Sequence, residues 1–200
     1  MVIYCSDSWR PKNSFSKTIK EKKVKIRISY FYQIRNFKKN MIPVSTACWD
    51  PSWFHNFQNS DFTFLDKRGI INGLRCEELH PDETCSNLCQ GTENCNYKPE
   101  KCNFLQAYKK QLNKIDFMNF MSRVEKSINK IAEQLELKEE PILVFIVYEA
   151  PNNPCSERQA LLDWFNDNGI ECKELDYPIE KIEVKKEILN FEKLYSKRFI

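Results

Sequence analysis

The stretch PILVFIVYEA, residues 141–150, is almost continuously apolar and rich in β-branched residues. A strand with this composition fits a position covered on both faces, as in the interior of a parallel sheet. The stretch is therefore predicted to be the central strand, and the rest of the fold follows from what flanks it.

Helical patterns stand on both sides of this strand. CSERQALLDWFNDNG (residues 155–169) has apolar residues at helical spacing and is followed by the strand-like IECKEL (residues 170–175). This strand–helix–strand order is typical of parallel strands joined by a crossover helix. Upstream, residues 102–137 predict two long amphipathic helices, with Asp116 as the N-cap of the second.

Two earlier segments also read as strands. VKIRISYF (residues 24–31) alternates apolar and polar residues, whereas MIPVSTACW (residues 41–49) is interrupted by Pro43. Because proline cannot donate to a ladder, the residues before Pro43 are predicted to lead into the strand rather than pair within it. The predicted fold is α/β, a three-layer sandwich with a small, mostly parallel sheet and a cysteine-rich insertion.

The predicted organisation has three parts. Residues 1–23 form a basic N-terminal extension, residues 24–178 an α/β domain, and residues 179–200 a C-terminal helix. The cysteine-rich insertion, residues 69–103, lies inside the α/β domain. The basic extension is either a solvated tail or an arm that contacts nucleic acid.

Composition argues against a membrane protein. The formal net charge is only +3, and no span of about 20 apolar residues or signal-peptide pattern is present. The chain is expected to be cytoplasmic, where disulfides are scarce and clustered cysteines favour metal binding.

The segment CEELHPDETCSNLCQGTENCNYKPEKC, residues 76–102, carries five of the nine cysteines and few aliphatic residues. Cys85 and Cys89 form a close pair, and Cys95 and Cys102 can complete a four-thiolate site. Cys76 and His80 are spare or alternative ligands. Zinc is the favoured metal, an iron–sulfur cluster is the alternative, and free thiols or a disulfide remain open. A metal is expected to stabilise this segment, because little apolar surface is available to do so.

Ligands of open parallel sheets bind beyond the carboxyl ends of the strands. Two loops of unusual composition follow predicted strands, STACWDPSWFHNF (residues 45–57) and YEAPNNPCSERQ (residues 148–159). The predicted substrate-binding residues are Ser45, Trp49, Asp50, Trp53, His55 and Tyr148. Aromatic residues at this position also serve simply to cover a sheet edge.

The second loop supplies the catalytic candidates. Glu149 is the predicted acid or base, Cys155 the nucleophile or anion ligand at a helix start, and Arg158 the charge stabiliser. In the structural alternative, Cys155 is a small half-buried residue and Arg158 pairs with a neighbouring glutamate.

The two stretches VSTACWDPSWF and VFIVYEAPNNPCSERQALLDWFNDNGIECKEL resemble the domain of unknown function 488 family of small prokaryotic and phage proteins. The matching positions are Ser29, Tyr30, Phe31, Val44, Ser45, Trp49, Pro51, Trp53, Tyr148, Glu149, Cys155 and Arg158. The family's Cys-His-Arg motif is Cys155-Ser156-Glu157-Arg158 here, without the histidine. The resemblance implies the fold and the place of the pocket but no reaction.

The sequence leaves several alternatives for the function, and they belong to different classes of protein. The first is an enzyme that acts on a small anionic or nucleotide-like substrate at the carboxyl ends of the strands, with a structural metal site elsewhere. The others are a metal-stabilised nucleic-acid-binding module that uses the basic extension, and an iron–sulfur redox protein.

Overall fold

A computed structural model describes residues 24–55, 63–88, 98–151 and 153–175. Its main sheet contains β1 (Lys25–Tyr30), β2 (Met41–Ser45), β5 (Ile142–Val147) and β6 (Cys172–Glu174). The strand order is β2-β5-β1-β6, and every pairing is parallel. A two-stranded antiparallel hairpin, β3 (Phe64–Leu65) and β4 (Ile71–Asn72), forms a second small sheet.

Strand β5 is buried on both faces, as its composition predicts. Leu143, Phe145 and Val147 belong to one apolar cluster, and Val144 and Ile146 belong to a second. The described α-helices are α1 (Glu83–Asn87), α2 (Asn103–Leu112), α3 (Phe117–Gln134) and α4 (Glu157–Asp167). Helices α2, α3 and α4 pack in the first cluster, on what we call the helix face of the sheet.

The opposite face is covered differently. Its cluster is filled from the 3-10 helices Phe31–Asn36 and Ser52–Phe54 and from Ile70 beside the hairpin. Further 3-10 turns are Glu77–Leu79 and Pro99–Lys101. The α/β prediction is confirmed, and within the described residues the third layer is built from 3-10 turns and a hairpin rather than α-helices.

The predicted helix boundary at Asp116 is confirmed. Its carboxylate accepts the backbone N–H of Asn119, 3.1 Å away, at the start of α3. The predicted extension (residues 1–23) and C-terminal helix (residues 179–200) lie outside the described residues, so those two predictions stay open.

The prediction that residues before Pro43 do not pair is wrong. Met41 and Ile42 pair with Ile142 and Leu143. The N–H and C=O of Ser45 bond Leu74 and Cys76, on the side away from β5. Backbone direction alternates along a strand, so the nitrogen of Pro43 also points away from β5 and its missing N–H costs no bond in the main ladder.

The described part of the cysteine-rich stretch packs against the main core, and the expectation that a metal stabilises the segment stays a prediction. Cys76, Leu79 and Cys85 are buried in the helix-face cluster. Helix α2 supplies the polar contacts, because the Tyr108 hydroxyl donates to the Leu79 carbonyl and the Gln111 amide to the His80 carbonyl. Helix α2 therefore provides the apolar surface that the stretch itself lacks.

Gly169 ends helix α4 in the left-handed region, with φ +81°. We expect Gly169→Ala to lower the free energy of unfolding by about 1 kcal/mol, because a Cβ is strained at this φ. The cause is the backbone alone, since a Cβ placed there would meet no atom within 4 Å. Urea denaturation measures the change, and Gly169→Asn is the control, because asparagine tolerates this conformation better. Equal stability of the alanine variant and the wild type would contradict this assignment.

Candidate functional site

The strand order places a topological switch point between the carboxyl ends of β1 and β5, which we call the crevice. These neighbouring strands lead to opposite faces of the sheet: Phe31, directly after β1, packs in the 3-10 face cluster, whereas α4, after β5, packs on the helix face. In open parallel sheets this divergence of neighbouring connections is where ligands bind.

Aromatic side chains lie at this crevice. The Phe31 ring is 6.1 Å from that of Trp53 and 6.3 Å from that of Tyr148, both in edge-to-face geometry. Phe31 is buried, whereas Trp53 and Tyr148 are 51% and 59% exposed. We call these three residues the aromatic platform. Trp49, on the same loop, is 81% exposed. Phe54 is buried and covers the sheet edge, whereas the two exposed tryptophans do not serve mainly as a cover.

Asp50 connects three segments at the edge. Its side chain is only 1% exposed, and its carboxylate accepts from the Ser45 hydroxyl and lies 2.7 Å from His55 Nε2. Arg75 Nη1 is 3.5 Å from the same carboxylate. Asp50 thus joins the end of β2, the end of the Trp53 turn and the segment after β4.

This arrangement positions the loop rather than activating a nucleophile. In a serine nucleophile site the histidine takes the hydroxyl proton and the carboxylate orients the histidine. Here Ser45 donates directly to Asp50. The contacts among Ser45, Asp50 and His55 fix the loop, and their predicted role in substrate binding stays a prediction.

Two acidic residues flank the loop between β5 and α4. Glu149 lies two residues beyond β5, and Glu157 is the buried first residue of α4. Burial, and then the charge of Glu149, raise the pKa of Glu157 to about 8. The Oε2 atom of Glu149 is buried and meets no hydrogen-bond partner among the described residues.

The charge of Glu157 influences the pKa values of Cys48 and Tyr108. Ser45 pairs with Ile146, and Cys48 and Glu149 each lie three residues beyond that pair, in the loops that follow these adjacent strands. The Cys48 sulfur is 3.2 Å from the Ser86 hydroxyl. Its pKa is raised by burial and also by the charges of Glu157 and Glu149, which keeps the thiol neutral. Burial and Glu157 also raise the pKa of Tyr108.

Arg158 adopts the arrangement of the structural alternative. Its Nε is 2.8 Å from Glu174, and its terminal nitrogens donate to the main-chain oxygens of Glu149 and Pro151. Cys155 is buried, and its N–H donates to the Asn153 side chain, 2.9 Å away. Arg158 therefore holds the loop between β5 and α4 in place, with its positive charge neutralised by Glu174.

The structure describes only part of the predicted metal set. Cys76, Cys85 and Cys102 are described, and Cys89 and Cys95 are outside the described residues. Within the described ranges, no group of three or more His, Cys, Asp or Glu side chains is placed to hold a metal ion. Burial raises the pKa of Cys76 to about 12, and burial and Asp82 raise that of Cys85 to about 11.

The sequence analysis did not select several residues of this edge. Glu157 gave no signal, because an acidic residue in the first turn of a helix is ordinary. Arg75 and Phe31 became relevant only through the pairing of distant strands. Cys48 was visible within the first loop, but its neighbours Glu149 and Glu157 come from the other end of the chain.

No family model, curated protein or solved structure matches the chain. The resemblance to the domain of unknown function 488 family therefore stays a prediction. Among the described helices, none combines the length and apolar character needed to cross a membrane.

We expect Asp50→Asn to lower the free energy of unfolding by about 2 kcal/mol, because its amide would place a donor against those of Ser45, His55 or Arg75 in a buried position. Urea denaturation measures the loss. Glu171→Gln is the control, since it removes an ion pair with Lys173 that is exposed on both sides. A loss no larger than that of the control would contradict the role given to Asp50.

Proposed function

We propose that the protein is an enzyme that binds a small, planar, nucleotide-like substrate at the crevice and moves a proton with Glu149. The observation that supports this most directly is the position of two consecutive residues. Tyr148 belongs to the exposed aromatic platform, and Glu149 carries a buried carboxylate oxygen without a partner among the described residues.

Recognition is assigned to the aromatic platform. Exposed aromatic side chains are costly to leave in water unless they contact something, and every nucleobase has a π-face on which they can stack. Trp53 makes edge-to-face contacts with the buried rings of Phe31 and Phe54. The loop that carries Trp53 is fixed in turn by Asp50, so the platform is organised before a ligand arrives.

Chemistry is assigned to Glu149. A carboxylate oxygen that is buried and lacks a donor is a strong hydrogen-bond acceptor, and it gains most when a substrate N–H or O–H reaches it. Tyr148 contacts Phe31 of the 3-10 face cluster, whereas the main-chain oxygen of Glu149 accepts from Arg158 of α4. A planar ligand that lies across the sheet edge could therefore meet both residues.

The anionic part of the substrate is not assigned to Arg158. Its guanidinium already pairs with Glu174, and Arg75 likewise pairs with Asp50 and Glu77. The proposal therefore predicts that a phosphate group on the ligand adds little affinity, and that the ring supplies most of it.

Calorimetric titration with the four common ribonucleosides and their 5′-monophosphates tests the proposal. At least one nucleoside is expected to bind, and Trp53→Ala is expected to weaken its binding roughly tenfold, because one stacked base contributes about 1–3 kcal/mol. Tyr32→Ala is the matched control: Tyr32 is also exposed, at 46%, but it contacts Arg35 and is not part of the platform.

Two results would contradict the proposal. In the first, no nucleoside or nucleotide binds, or Trp53→Ala and Tyr32→Ala have the same effect. In the second, free nucleosides do not bind while a single-stranded oligonucleotide does, with affinity that falls steeply as salt rises. That second result would favour the nucleic-acid-binding module.

We propose, as a separate structural feature, that cysteines of the 76–102 segment bind one metal ion, with zinc favoured over an iron–sulfur cluster. The support is the sequence spacing of Cys85, Cys89, Cys95 and Cys102. Cys76 is left outside the proposed set, because the other four cysteines already supply four thiolates. It shares with Cys85 a place in the main core and a pKa raised by burial.

Elemental analysis of protein purified without oxygen or chelator tests the metal proposal. About one zinc per chain is expected, lost in Cys102→Ser and retained in Cys76→Ala. Detection of iron together with sulfide would instead indicate an iron–sulfur cluster at this site. Absence of metal from protein purified in this way, or metal lost equally in both variants, would contradict the proposed ligand set.

A further inference from the structure

The turn of the β3–β4 hairpin is docked against the end of the first 3-10 helix, Phe31–Asn36. Arg68 makes this contact, because its Nη1 donates to the carbonyl oxygens of Ile34, 3.0 Å away, and Arg35. The Asp66 carboxylate accepts from Nε and Nη2 of the same guanidinium at 3.0 and 2.6 Å. Arg68 and Asp66 therefore fix the hairpin turn beside this helix, and their charges compensate each other.

Four further cationic side chains surround this junction, and all are exposed: Arg35, Lys38, Lys39 and Lys67. We call these four residues the basic patch. The end of the Lys39 side chain lies over Gly69 of the hairpin turn, 3.4 Å from where a Cβ of that residue would stand. The Arg35 guanidinium is 3.6 Å from the centre of the Tyr32 ring, which holds it in place. The two chain segments therefore present one continuous positive surface.

The acidic residues that border the basic patch are already paired. Asp66 pairs with Arg68, and Glu140 pairs with Lys25 at 3.2 Å. Within the described ranges, none of the four cations of the patch takes part in an ion pair. Four positive charges thus stand together without compensation, and a local surplus of this kind attracts a polyanion.

The first 3-10 helix connects the basic patch to the aromatic platform. Phe31, the first residue of this helix, is the buried member of the platform, and Arg35 lies near the other end. A 3-10 helix rises about 2 Å per residue, so the patch begins about 8 Å along the helix from Phe31. The phosphate of a nucleotide stacked on the platform stays near the crevice, whereas the phosphates of its neighbours in a strand extend along the helix.

We infer that the basic patch binds the phosphodiester backbone of a single-stranded nucleic acid, one base of which stacks on the aromatic platform. A positive surface that follows the backbone, next to exposed aromatic rings that stack on bases, is the combination by which proteins hold single strands. An acidic peptide would satisfy the patch but not the platform, and the bases of a duplex are already paired. Backbone binding stands on the patch alone, whereas stacking rests on the proposed function and narrows its substrate to a nucleotide within a strand.

Fluorescence anisotropy with a labelled single strand of mixed sequence and roughly eight nucleotides tests the inference. RNA and DNA of the same sequence are compared, because both carry the backbone that the patch recognises. If four phosphates are neutralised, the affinity of the wild type is expected to fall about fiftyfold between about 50 and 200 mM salt. In the double variant Lys39→Gln/Lys67→Gln two contacts remain, and the fall is expected to be about sevenfold.

Lys126→Gln/Lys130→Gln is the matched control, because it removes the same charge from exposed positions of α3, on the helix face of the sheet. It should leave the salt dependence unchanged. Three results would overturn the inference. The strand binds no more tightly than a nucleoside monophosphate, the two double variants lose the same affinity, or polyaspartate competes as well as the unlabelled strand. An equal loss in both variants is what binding through the basic N-terminal extension would give.

Titration with free nucleosides separates this inference from the proposed function. Nucleosides that bind, together with a strand that binds no more tightly than they do, would remove the basic patch as a site and leave the proposed function. A strand that binds through Lys39 and Lys67, together with nucleosides that do not bind, would remove the proposed function and leave the backbone site.

Discussion

The structure depends on the burial of β5 on both faces. A strand with apolar residues in every position has no solvated side, so each face must be covered and both edges must be paired. β2 and β1 pair with its two edges in parallel. Three α-helices cover one face, and 3-10 turns with the hairpin cover the other. Because all these strands run in one direction, their carboxyl ends meet at one edge, and this alignment creates the crevice.

The polar groups of this edge divide into those that stabilise it and those that do not. Asp50 is surrounded by donors, and Arg158 pairs with Glu174 and with loop carbonyls. Both side chains form hydrogen bonds and ion pairs with the groups around them, and both hold loops in place. Glu157 differs from them, because it is buried, and burial together with the charge of Glu149 raises its pKa to about 8. Such a shift is typical of functional sites, where it supplies a group with altered acidity.

The fold was largely predictable because its signals are local and repeated. The apolar run of β5 and the helical spacing of α3 each extend over many residues, and Asp116 lies where a cap is needed. Pro43 misled the prediction because its tolerance depends on β2 being an edge strand, which follows only from the assembled sheet. The packing of the cysteine-rich stretch could not be predicted locally, because the apolar surface that covers its described part belongs to α2.

The sequence indicates a place for the candidate site but not the contacts within it. The loops after β2 and β5 were identified from their composition and from the geometry of parallel sheets. The contacts depend on strand register, which aligns Ser45 with Ile146 and so places the loops that carry Cys48 and Glu149 side by side. Arg158 illustrates the limit: its type and position suggested an anion site, while its partner, Glu174, lies at the end of another strand.

Amide chemical-shift mapping during a nucleoside titration tests the central claim, that ligand binding takes place at the carboxyl edge. The account predicts that the largest changes fall in the three loops that follow β1, β2 and β5, and include Phe31, Trp53 and Glu149. Changes concentrated at the opposite edge, around Lys25, Met41 and Ile142, or confined to the cysteine-rich stretch, would contradict it.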